Sequence, residues 1–214
     1  MENILVPTKW MADRLGLSKT AQGLEVAQQQ YQQTPDLQVA LHAIEDAAIQ
    51  LLQIAASLGP VFLVSDATVT YTEVFCSVFF PRLTALLRDA NGVVQLLAAP
   101  SASLSLSGKA AWKIDALRMI CCEKLYSGPL APELLAHPQT GRFAIVSLNA
   151  HDMDAIAATR AQQSVAPHAC LKMCKVSSTS FSAMELEAFH AQLGTLARFL
   201  LEATAQDAPL NHTL

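Results

Sequence analysis

The stretch IVSLNAHDMDA, residues 145–155, decides how this chain is read. An apolar run stops at Asn149, and Ala150, His151 and Asp152 lead into a segment of helical character. A short, unbroken apolar run suits a strand buried on both faces. The turn after such a strand is where α/β proteins place phosphates, metals and cofactors. The reading therefore depends on whether the rest of the chain repeats this pattern.

It does. The run itself begins further back, as RFAIVSL (142–148), and VFLVS (61–65), VVQLLA (93–98) and residues 168–175 are read as three further strands. Helical patterns separate them. Leu37, Leu41, Ile44, Ala48, Leu51, Leu52 and Ala55 recur at helical spacing, so 35–58 is predicted as a helix. Thr34-Pro35 gives it a cap and a first-turn proline, and Gly59-Pro60 stops it. Thr70-x-x-Glu73 has the form of a capping box, with a break expected at Pro81 and an end at Asn91-Gly92. Further helices are expected at 109–126, around 130–136 and at 152–163. A last one follows Ser182-x-x-Glu185, with Leu186, Phe189, Leu193, Leu196 and Leu200 as its stripe.

Alternating strands and helices predict an α/β fold: three α/β/α layers around a mainly parallel sheet of at least four strands, of Rossmannoid type. Right-handed crossovers would bring the loops 65–70, 99–108, 149–152 and 176–181 to one sheet edge. Residues 1–34, ending in a glutamine-rich piece, are expected as an arm or helix. The α/β domain would run over 35–206, and 207–214 reads as a polar tail.

Composition narrows the function. A net charge of −4 without a basic cluster argues against nucleic acid. Charged residues are 15% and apolar ones 52%, so part of the surface is expected to be covered by a protein partner or a second copy. No uninterrupted apolar run reaches the ~18–20 residues of a membrane span. No secretory or transit signal is recognisable, so the cytoplasm is the default location, with mitochondria or a cytoskeletal assembly left open. The five cysteines, Cys76, Cys121, Cys122, Cys170 and Cys174, read as reduced thiols.

Phosphate-loop, dinucleotide, nucleophile-elbow and His-Glu-x-x-His motifs are all absent. His168, Cys170 and Cys174 lack a zinc spacing, and on a strand Lys172 would interrupt them. The groups that remain are Ser65 and Asp66 after the first strand, Lys113 beside Trp112, and Asn149, His151, Asp152 and Asp154 after the third.

Over roughly residues 40 to 200, VFLVSDA, EVFCSVFFPRL, AWKIDAL and IVSLNAHDMDA in that order resemble the haloacid dehalogenase-like fold. They are most similar to a subgroup from protists, fungi and oomycetes. In that family an Asp at a strand end attacks phosphorus, a second Asp two residues on moves the proton, and Ser/Thr and Lys hold the phosphoryl oxygens. Acidic residues after a later strand hold Mg²⁺. The resemblance implies Ser65 as hydroxyl, Lys113 as cation, and Asp152 or Asp154 as the acids left for magnesium, with Asn149 and His151 at the site edge. Asp66 would be the nucleophile if VSDATVT is a decayed Asp-x-Asp-x-Thr.

The departures are as informative. Ala150 stands where the family has a metal-binding Asp, His151 stands where it has a small hydroxyl, and Thr68 occupies the acid/base position. A threonine does not transfer protons near neutral pH. Losing a general acid costs ~10²–10⁴ in rate. The expected reading is a catalytically degenerate domain serving as a structural or interaction subunit, without a cofactor. The alternative is a Mg²⁺-dependent phosphatase or phosphotransferase with atypical residues.

Overall fold

The computed structural model describes residues 1–88, 92–98, 106–125, 144–165, 167, 169–176 and 185–214. The element order is α1 (Thr8–Leu15), α2 (Ala21–Gln33), α3 (Pro35–Leu58), β1 (Val61–Ser65), α4 (Val69–Phe79), α5 (Pro81–Leu87) and β2 (Val94–Ala98). Then follow α6 (Leu106–Met119) with a π-helical turn at Ile120–Leu125, β3 (Ala144–Asn149), α7 (Asp152–Val165), β4 (Cys170–Lys175), α8 (Leu186–Ala205) and β5 (Leu210–Thr213). The helix expected around 130–136 and the cap at Ser182 lie outside the described residues.

Mixed helix and parallel strand is what the sequence predicts and what the structure has. Among the described residues β1 pairs with β2, and β3, β4 and β5 form a second sheet in that order, all parallel. Among the described residues no sheet has the four or more strands expected; each unit has a parallel sheet of its own, of two and of three strands. Apolar runs identify strands, whereas the choice of neighbour is made by contacts distant in sequence. Residues 210–213, expected in a polar tail, pair with β4 in the register Lys172↔Leu210 to Lys175↔Thr213. Backbone pairing makes this strand despite exposed side chains at Asn211, His212 and Thr213.

The chain divides into two compact units, one of Met1–Ala98 with Ser177–Leu201, the other of Ala99–Val176 with Glu202–Leu214. The first unit has a dense aromatic centre. Phe75 and Phe79 lie 5.4 Å apart, Phe75 and Phe80 5.7 Å, and Tyr31 meets Phe79 edge-on at 5.3 Å. Such contacts add ~0.5–1.5 kcal/mol each beyond burial. Pro81 does break the helix there: its ring denies α4 a further hydrogen bond, and a new helix starts at Pro81 itself.

The capping details shift from expectation. Thr68, not Thr70, caps α4, accepting from the Tyr71 N–H at 3.2 Å. Thr34 stands at the N-cap of α3 as expected, its carbonyl accepting from the Gln38 N–H at 3.2 Å, but its hydroxyl donates back to the Gln30 carbonyl of α2 at 2.9 Å instead of capping α3. A buried carboxylate caps α5 from afar. Glu45 of α3, 0% exposed, accepts from the Arg82 N–H at 2.7 Å, the Leu83 N–H at 3.0 Å and Arg82 Nε at 3.1 Å.

In the second unit α6 packs on α7, whose buried face is Ala157, Ala158 and Ala161. Alanines there let two backbones approach closely. Lys172 of β4 is only 3% exposed, and its ammonium donates to the Ala203 and Gln206 carbonyls at the end of α8. A cation at a helix C-terminus complements the partial negative charge of the last carbonyls.

Candidate functional site

Ser65 and Asp66 belong to the first unit, and Lys113, Asn149, His151, Asp152 and Asp154 to the second.

At the end of β1 the chain turns through Asp66 and Ala67 into α4. Ser65 is fully buried, and its hydroxyl donates to Glu2 Oε1 at 2.5 Å. The same oxygen accepts from the Ala67 N–H at 3.1 Å and lies 3.3 Å from the Thr72 hydroxyl. Met1 completes this corner, its amino group donating to the Val64 carbonyl at 2.9 Å. Burial alone would raise the Glu2 carboxyl. The Met1 ammonium and the Ser65 hydroxyl outweigh it and hold the group below its ordinary value of 4.5. Asp66 is exposed and is close enough to oppose that lowering.

At the end of β3, Asn149 is 3% exposed. Its Oδ1 accepts from Ser147 Oγ at 2.8 Å, its Nδ2 donates to the Ser147 carbonyl at 3.2 Å, and its own carbonyl takes the Val176 N–H at 2.9 Å. All of these bonds tie the strand end to its neighbours. His151 is exposed and occupies the cap of α7. Its N–H donates to Asp154 Oδ2 at 3.1 Å, so the third-position carboxylate reaches back to the cap, as in half of a capping box. The other Asp154 oxygen takes the Lys113 ammonium, at side-chain exposures of 14% for the lysine and 21% for the aspartate. Asp152 pairs with Lys175. Both acids sit in the first turn of α7, where the helix dipole favours negative charge.

The structure thus brings Lys113, His151 and Asp154 together, and Asp152 with Lys175, a residue the sequence reading missed. Lys175 is Asn149's partner in the β3–β4 register, so aligning the two strands would have found it. Glu2 and Thr72 were also missed, and no local pattern marks Glu2. His168 lies outside the described residues. Cys170, Lys172 and Cys174 alternate along β4, with Lys172 and Cys174 buried.

A magnesium ion does not fit what is present. Mg²⁺ takes near-ideal octahedral oxygen coordination, usually with one or two carboxylates available to it. Here each candidate carboxylate faces an ammonium, and Ala150, 4% exposed, offers no ligand. Among the described residues no three His, Cys, Asp or Glu side chains gather to hold a metal ion.

Two buried thiols, Cys76 and Cys174, are no better placed for chemistry. All five cysteines are free. Burial pushes Cys76 up to about 12, with the Glu2 and Glu45 carboxylates adding to it, and pushes Cys174 up to about 11. A thiol held that high is protonated and a poor nucleophile near neutrality.

No family model, no curated protein and no solved structure matches the chain.

Proposed function

We propose that this chain is a catalytically inert α/β protein of haloacid dehalogenase-like type, serving as a structural or interaction subunit of a larger assembly. The observation that carries the reading is the Ser65–Glu2 contact. A hydroxyl that would hold a phosphoryl oxygen instead donates to a carboxylate at 2.5 Å, in a fully buried position. An anionic phosphate brought there would meet a like charge, which desolvation makes worse. Lys113, the cation that would neutralise phosphate, is engaged by Asp154. The low share of charged residues, 15%, supports a surface adapted to a protein partner. The three-layer α/β/α arrangement implied by the resemblance is part of the same proposal.

Hydrolysis of p-nitrophenyl phosphate with and without Mg²⁺, in the wild type and in Asp66→Asn and Asp152→Asn, tests it. No metal-dependent turnover is expected. Turnover that either substitution abolishes would overturn the reading in favour of an atypical phosphatase. One observation favours that second reading: Asp66 is exposed at the end of β1, where a family nucleophile would stand.

A further inference from the structure

Helix α3 is long and apolar enough to cross a membrane by length and composition, yet only 33% of its most apolar 18-residue window is buried. Its buried face is Leu37, Leu41, Ile44, Glu45, Ala48, Leu51 and Leu52. A second stripe runs along the helix at spacings of four, four, three, four and four: Val39, Ala43, Ala47, Gln50, Ile54 and Leu58. None of these is buried; Val39 is 70% exposed and Leu58 44%. An eleven-residue repeat of this kind stays on one side of a nearly straight helix. His42, Asp46, Gln53 and Ser57 border it as an exposed polar rim.

We infer that this stripe is the contact between two copies of the chain, paired through antiparallel α3 helices about a two-fold axis between Ala48 and Ile49. The proposal rests on the interaction-subunit reading and names its partner. The stripe is self-complementary in one register only. Val39 then faces Leu58 of the second copy, Ala43 faces Ile54, and Ala47 faces Gln50. Each large side chain meets a small or medium one, which is the condition for interdigitation. A two-fold interface must match itself in this way.

The two Gln50 residues sit three residues apart along the axis, about 4.5 Å. Their amides can bond each other there, each giving one N–H and one carbonyl, with the second N–H of each turned to the solvated rim. A polar residue at such a position also fixes register. A membrane is the poorer occupant. α3 carries Asp36, Glu45 and Asp46 and no lysine or arginine, whereas surface-bound helices carry cations beside their apolar face. A one-helix contact falls below the ~800 Å² per partner of a standard interface, so a dimer on the order of micromolar affinity is expected.

Light scattering of the full chain from one to one hundred micromolar should show mass rising from monomer to dimer. Ala43→Glu and Val39→Lys, both at exposed positions, should hold it at monomer while circular dichroism stays unchanged. Register is read by cross-linking. Under oxidation, an equimolar mixture of Val39→Cys and Leu58→Cys proteins should give several-fold more dimer than either alone, above the wild-type background. Gln50→Cys alone should cross-link to itself.

A wild type that stays monomeric over the whole range, or cross-links without the 39/58 preference, overturns the inference. So does a monomer that binds phosphatidylcholine vesicles through this face. A monomer that forms a stoichiometric complex with a different protein, lost in Ala43→Glu, also overturns it while leaving the interaction-subunit reading intact. Metal-dependent phosphatase turnover in a dimer would do the reverse.

Discussion

Replacing Glu45 by alanine tests how far one buried carboxylate organises the first unit. Glu45 is 0% exposed and accepts from two backbone N–H groups at the start of α5, Arg82 at 2.7 Å and Leu83 at 3.0 Å. Those N–H groups have no partner within their own helix. Hydrogen bonds to a charged group contribute ~1.5–3 kcal/mol each, and a buried donor left without a partner costs ~1–3 kcal/mol. Two such bonds cannot be summed independently, and water can reach the Arg82 side of the site. A net loss of ~3–4 kcal/mol is therefore expected, within the ~3–5 kcal/mol range for removing one partner of a buried ionic interaction. Against a total of ~5–15 kcal/mol for a typical protein, this is a large fraction.

The assay is urea denaturation by circular dichroism, reading the midpoint at constant slope. Arg82→Ala is the control, because it removes the exposed guanidinium but keeps the backbone N–H. Its effect should be a small part of the Glu45→Ala loss. If the two substitutions cost the same, or if Glu45→Ala costs under ~1 kcal/mol, the remote cap contributes little and the reasoning fails.

Glu2 gives a pH prediction. Its carboxyl is held below the ordinary 4.5, so the folded state favours the ionised form. The resulting stability is fully present above the unfolded value and disappears as pH falls through the folded one. Thermal midpoints of Glu2→Gln and wild type should therefore converge on acidification below 4.5; a constant gap would refute the assignment. Lys172→Met should speed amide exchange at the C-terminal end of α8, since it removes the donor to Ala203 and Gln206. Unchanged exchange there would mean the contact is energetically idle. Gly23→Ala should destabilise by ~1–3 kcal/mol, because a Cβ would stand 1.9 Å from Ser18 Oγ and 2.7 Å from Ser18 N. Ser18→Gly should rescue only part of this, as the backbone nitrogen remains. Native protein should react with a thiol reagent at exposed Cys122 first, and at Cys76 and Cys174 only on unfolding. Equal rates at all of them would contradict the burial that raises the latter two.

The amino-acid pattern alone determined a good deal of this protein. α3 begins at Pro35 and ends at Leu58 as read, because its helical spacing and its Gly59-Pro60 stop are local signals. β1 occupies Val61–Ser65 for the same reason. The placing of Asp152 and Asp154 in the first turn of a helix is also legible in the sequence, because the apolar run before them ends within a few residues. Tertiary structure decided the rest. Which strands pair, the recruitment of Leu210–Thr213 into a sheet, and the meeting of Lys113 with Asp154 or Asp152 with Lys175 all join residues far apart in sequence. Glu2 reaching Ser65 across 63 residues is the clearest case. Periodicity reports what each segment wants to bury, within a turn or two of itself. Which distant group then satisfies a buried hydroxyl or carboxylate depends on the packing of the whole chain, because an unpaired polar group costs free energy only once folding has removed its water.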